Sequence, residues 1–173
     1  MIPDRISIVQ RPEKVEFRNE PGHLEFDSVV SSKRSRSKYA LAVVQDRTTR
    51  LVKAELVPNL KPRNYSEVIL SLTKELRILS LTTDNGIENR DHKDITKSTG
   101  APVFFCDPYS SWQKGGVENA NKMIRRYFPK GTDFSEVTQE EVDQAIALIN
   151  QKPRKILGFK SAIQCSVEKG LIL

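Results

Sequence analysis

Three acidic residues stand where strands and helices should begin or end. Asp27 lies in GHLEFD, Asp84 follows the apolar run ILSLTT, and Glu118 opens the helix-like stretch VENANKMIRR. Taken singly, each has an ordinary role. Asp84-Asn85-Gly86 is a turn sequence, because Asn-Gly readily adopts positive φ. Glu118 near a helix start complements the macrodipole. Asp27, flanked by Phe26 and Val29, is the hardest to dismiss as a surface acid. Brought to one point, three carboxylates repel unless a cation lies between them. Magnesium takes a few carboxylates and keeps several waters. Two such ions activate a water or hydroxyl and stabilise the leaving oxygen of a phosphodiester.

Glu118, Lys122 and Arg125 recur at i, i+4 and i+7 and share one helix face, which sets two cations beside an acid. Such cations hold phosphates; the plain alternative is a solvated Glu118–Lys122 pair. Tyr109 and Trp112 precede this helix and are suited either to base stacking or to packing. The basic stretch at residues 31–38, SSKRSRSK, is a phosphate contact or a solvated hairpin tip.

These residues need a scaffold. LEFDSVV, KYALAVVQD and RLVKAELV read as three strands of an antiparallel meander. Asn64 and Glu67 have capping-box spacing ahead of Val68, Ile69, Leu72 and Leu76 at helical period. ILSLTT reads as a buried strand, residues 91–98 as a short helix stopped near Gly100, and APVFFC as another strand. A helix then runs to Pro129, and a second capping box, Thr138 with Glu141, opens an amphipathic helix through Val142, Ala145, Ile146 and Ile149. The order is that of a layered α/β fold.

With 173 residues, 38% hydrophobic and 29% charged, the chain supports one core and is not disordered throughout. No apolar run reaches the roughly 20 residues of a membrane helix, and the first residues lack a signal-peptide core. Cys106, Cys165, His23 and His92 are too few for a disulfide framework or a histidine-rich metal centre. The net charge of +6 favours a polyanionic partner.

Four segments together resemble the catalytic domain of insertion-sequence-30 family transposases, within the DDE integrase group. GHLEFD is similar to the family's first-acid motif and LTTDNGIEN to its second. FFCDPYSSWQKGGVENANKMIRRYFPKGTDF is similar to its third region, and NQKPRKILGFKSA to its closing segment. The resemblance implies an RNase H-like mixed sheet whose first three strands are antiparallel, with helices on both faces. It implies that Asp27, Asp84 and Glu118 are the DDE triad, holding two Mg2+ or Mn2+ ions for DNA cleavage and strand transfer. On this reading Lys114, Lys122, Arg125 and Arg154 contact DNA, and His23, Asn85 and Asn119 support the site. Residues 1–22 form an arm and 23–173 the integrase core; the family's N-terminal helix-turn-helix region is absent. The implied partners are transposon ends, target DNA and further copies of the protein, with no membrane and no small-molecule substrate. The implied place of action is the cytoplasm, at the nucleoid. Two rival readings fit the same residues: a decayed fragment that only binds DNA, and a stand-alone nuclease of this fold.

Overall fold

A computed structural model describes residues 2–173, apart from the side chain of Ser111. Six strands form one mixed sheet: β1 (Ile6–Ser7), β2 (His23–Val30), β3 (Ala40–Asp46), β4 (Val52–Val57), β5 (Ser80–Thr83) and β6 (Val103–Phe105), in the order β1-β6-β5-β2-β3-β4. The three runs read as a meander are β2 to β4 and pair antiparallel as expected. The remaining pairs, β2–β5, β5–β6 and β6–β1, are parallel. β1 lies within the stretch read as an arm and extends the sheet by one edge strand.

Five α-helices accompany the sheet: α1 (Pro62–Thr73), α2 (His92–Thr99), α3 (Gly115–Tyr127), α4 (Gln139–Gln151) and α5 (Ala162–Glu168). Alternate residues of a strand point to opposite faces, so the sheet carries two cores. Leu24, Phe26, Ala42 and Val44 pack with Tyr65, Ile69 and Leu72 of α1 and Ile95 of α2. Val29, Leu41, Val43 and Ala54 pack with Val117, Ala120 and Ile124 of α3 and Val142, Ile146 and Ile149 of α4. Helices therefore cover both faces, as the sequence implies.

Local signals set most boundaries. α4 opens on the Thr138–Glu141 capping box, and α2 ends on Gly100 at φ 72°. α1 begins two residues before Asn64, because Pro62 occupies its first turn, where the missing N–H costs nothing. Asn64 instead donates to the Asn59 side chain at 3.0 Å. Leu76 lies beyond the end of α1 and bridges to Ile172. α5 is an element the sequence reading passed over; its signal is the capping box Ser161-x-x-Gln164.

The edge strand β4 is closed by side chains. Asn150 accepts from Val52 N at 2.9 Å and donates to Val52 O at 2.7 Å. Gln139, eleven residues or three turns earlier on α4, accepts from Leu56 N at 2.8 Å and donates to Ala54 O at 3.2 Å. The helix thus stands in for a missing strand and removes a template for edge pairing. Asn150→Ala strands the fully buried Val52 N–H and C=O, and should cost about 1–3 kcal/mol in urea unfolding.

Candidate active site

β2 and β5 run parallel with Glu25 opposite Thr82. Two residues further along lie Asp27 on β2 and Asp84 just past the end of β5, on neighbouring segments about 4.8 Å apart and on the face covered by α3. Lys114, at the N-terminus of α3, fills the space between them. Its ammonium is 3.0 Å from Asp27 Oδ1 and 2.9 Å from Asp84 Oδ2, and its side chain is 4% exposed. Both carboxylates are further fixed. Asp27 Oδ1 accepts from Ser28 N at 2.9 Å and Oδ2 from Asn121 Nδ2 at 3.1 Å. Asp84 Oδ1 accepts from Gly86 N at 2.9 Å and Asn89 Nδ2 at 3.2 Å.

The electrostatics follow from this arrangement. Burial pushes the Asp84 carboxyl up, but the Lys114 charge and the Lys114, Gly86 and Asn89 hydrogen bonds outweigh it, leaving Asp84 below the usual carboxylate range. For Lys114, burial favours the neutral amine, and the charges of Asp27 and Asp84 more than reverse it. Glu88 is held above the ordinary range by burial, with Asp84 and Asp27 adding to the effect. It is a further acid at the site, four residues beyond Asp84 in LTTDNGIEN. Its carboxylate lies so close to Gly86 that a Cβ there would strike it.

Glu118 is half-buried in the first turn of α3. It lies one turn beyond Lys114 and three residues before Asn121, on the stretch of helix that turns these two residues toward Asp27. Among the described residues, no three of His, Cys, Asp or Glu stand close enough together to enclose a metal ion. The species that touches both aspartates is Lys114.

The supporting residues divide sharply. Asn85 donates to Cys106 O at 2.7 Å and accepts from Arg5, so it ties the Asp84 turn to the end of β6. Asn121, not the exposed Asn119, reaches Asp27. His23 lies roughly 13 Å from Asp27 along β2. Its Nδ1 pairs with Ser80 Oγ at 2.8 Å, and burial lowers its pKa. His23 is therefore held away from Asp27, between Ser80 and Glu20. Burial shifts the Cys106 thiol the other way, up to about 11.

Among the expected DNA contacts, Lys122 is exposed. Arg125 is engaged with the protein itself, donating to Val30 O at 2.9 Å and lying 5.8 Å from the Phe134 ring centroid. Arg154 donates to Ile149 O at 3.4 Å, near the end of α4. Tyr109 is fully exposed and Trp112 73% exposed, so neither packs into the core.

An ionic chain, buried at Arg11, Arg47 and Glu25 and exposed at Glu16, supports the site. Arg47 pairs with the fully buried Glu25, and also with Glu16 at 3.0 Å. Glu16 pairs with Arg11, which donates to Thr82 Oγ1 at 2.9 Å. Glu25 Oε2 accepts from Val117 N at 2.8 Å and so anchors the first turn of α3 against the sheet.

No family model matches the chain. It is 39% identical over 173 residues to the transposase InsI for insertion sequence element IS30A of Escherichia coli strain K12, covering 96% of this chain and 43% of that protein. To the transposase for IS1086 of Cupriavidus metallidurans it is 38% identical over 167 residues, 94% of this chain and 48% of the relative. The chain therefore spans about half the length of these curated relatives. Its fold is similar to the catalytic core domain of bovine immunodeficiency virus integrase. That match has a TM-score of 0.68 at 20% identity and covers 86% of this chain and 95% of that one. A simian T-cell lymphotropic virus intasome structure in complex with a PP2A regulatory subunit gives a TM-score of 0.70 at 20% identity, over 84% of this chain and 54% of that one. The likeness to insertion-sequence-30 transposases is thus a property of the whole chain, not of isolated motifs, and the RNase H-like fold it implies is the fold observed.

The close approach of α3 to β2 makes a sharp distinction between two neighbouring glycines. A Cβ at Gly116 would lie 2.8 Å from both Glu25 Oε2 and Gln45 Oε1, whereas one at Gly115 meets nothing within 4 Å. Gly116→Ala should cost about 1–3 kcal/mol, by forcing the Glu25 anchor apart. Gly115→Ala should melt within a degree or two of wild type, by about the few tenths of a kcal/mol expected for an open site. Thermal unfolding of the two variants checks the contrast.

Proposed function

We propose that this chain is the catalytic core of a DDE transposase, cutting DNA at the ends of an insertion sequence and joining the freed 3′-hydroxyl to target DNA. The observation that carries it is the in-register pair Asp27 and Asp84, converging on one cation at 2.9–3.0 Å. The Lys114 ammonium is a stand-in for the ion such a pair would hold, so the donor set fits a hard divalent cation. Asp27 and Asp84 would hold Mg2+ or Mn2+, and Glu118, which the structure does not bring within reach of a shared ion, would complete the set on loading; the metal would supply activation of the attacking oxygen and neutralisation of the leaving one.

The chain's own residues position these groups. Ser28 N, Gly86 N, Asn89 and Asn121 fix the carboxylate oxygens. Exposed Lys122 offers a cation to a DNA phosphate beside Glu118. The exposed basic hairpin tip at residues 31–38 lies near the end of α3, to which Arg125 ties Val30, and extends that surface. In-line phosphoryl transfer asks a protein mainly for positioning and charge neutralisation, and both are present here. The partners on this reading are transposon ends, target DNA and further copies of the chain, met in the cytoplasm at the nucleoid. No helix of the structure is long and apolar enough to cross a membrane.

Asp84→Asn and Asp27→Asn should each abolish cleavage of a duplex carrying the element's end, while leaving the fold intact. A joining assay on labelled oligonucleotides separates a transposase from a nuclease: strand-transfer product is expected, and cleavage without joining would favour the nuclease. Full cleavage by either variant would overturn the assignment.

Lys122→Ala should weaken binding to unrelated duplexes equally and reduce the slope of log K against log salt by about one unit. Arg125→Ala, which loses contacts to Val30 and Phe134, should instead show itself mainly as a lower melting temperature. A salt titration on two unrelated duplexes, paired with thermal melts, measures both.

A further inference from the structure

The oxygens that a shared cation would bridge are already bridged. Lys114 Nζ takes Asp27 Oδ1 and Asp84 Oδ2, while the other oxygen of each acid is held by Asn121, or by Gly86 and Asn89. We propose that Lys114 and the divalent ion are alternative occupants of this position: the lysine closes the site when metal is absent and must be displaced for loading. The inference rests on the reading of Asp27 and Asp84 as metal-holding residues. A cation bound to the same two oxygens would face the ammonium at contact distance, and like charges so placed exclude each other.

The backbone around Lys114 suits such an exchange. Beyond it, Gly116 is clamped between Gln45 and Glu25, and Val117 N is bonded to Glu25. Before it, a short turn is tied to itself, with Gln113 bonded to Asp107 at 2.8 and 2.9 Å, and not to the core: Tyr109 is fully exposed at φ 59°, and Trp112 is 73% exposed. At Gly115, between the two, a Cβ would meet nothing within 4 Å. The fixed frame therefore ends at Gly116, and Lys114 leaves without disturbing α3. Once outside, its ammonium meets DNA phosphate, the anion this surface is built to receive. A residue that neutralises the empty acids thereby becomes a DNA contact when the site is loaded.

Mn2+ binding, followed through the free-ion electron paramagnetic resonance signal, tests this with wild type, Lys114→Met, Lys114→Gln and Asp84→Asn. Both lysine variants should bind Mn2+ at least about tenfold more tightly than wild type. Without metal they should melt below wild type, because the carboxylates lose their counter-ion, and Mn2+ should close the gap. Equal or weaker Mn2+ binding by the lysine variants, with Asp84→Asn still lowering affinity, overturns the displacement alone. Mn2+ binding that Asp84→Asn leaves unchanged overturns the metal reading of the site itself. If Lys114→Met does not fold, Lys114→Gln carries the comparison, since its amide can still donate to one carboxylate.

Discussion

Parallel pairing of β2 with β5 brings Asp27, on β2, beside Asp84, just past the end of β5. At a strand spacing of about 4.8 Å, two carboxylates on one face repel strongly unless a positive charge or hydrogen-bond donors intervene. Much of the local structure answers this constraint. Lys114 supplies the charge, Ser28 and Gly86 supply backbone N–H groups, and Asn89 and Asn121 supply amides. An uncompensated pair would be costly to fold, so the site is stable only with an occupant. In the structure that occupant is the Lys114 ammonium.

Precision in that pair comes from a second ionic assembly, out of reach of the chemistry. Arg11, Glu16, Arg47 and Glu25 link the N-terminal segment, the β3–β4 turn and β2, with Arg47 and Glu25 almost wholly excluded from solvent. A buried ion pair is poor evidence of stability, because desolvation offsets most of the attraction. Its value here is geometric. Glu25 accepts the Val117 N–H, and only a glycine at position 116 lets α3 come that close. The helix that carries Lys114, Glu118 and Asn121 is thereby fixed against the strand that carries Asp27. Residues 2–22 are part of this frame, through Arg11, Glu16 and the edge strand β1.

Much was legible in the chain itself. Alternating and helical periods located the meander, the four longer helices and the two inner parallel strands, because buried faces impose a period that survives in sequence. Capping boxes gave the start of α4, and Gly100 gave the end of α2. The two-residue strand β1 left no period to read, and α5 was short enough that only its Ser161–Gln164 cap marked it. Asp27 and Asp84 were picked out by their neighbours: one on a strand, one ending a buried run.

Tertiary structure decided what touches these acids. From the chain alone Lys114 was one cation among several beside a glycine pair, and it became the bridge between two aspartates only because α3 docks across β2 and β5. Sequence pointed to Asn119 as a supporting residue, but the helix turns Asn121 toward Asp27 and leaves Asn119 in solvent. Arg125 and Lys122 share a helical face in sequence, yet the Val30 carbonyl at the end of β2 claims one and not the other. Sequence fixes residue type and local period, which depend on neighbours a few positions away. The partners of Lys114, Asn121 and Arg125 at the site lie 30 to 95 positions away, so they are settled by how the sheet and helices pack.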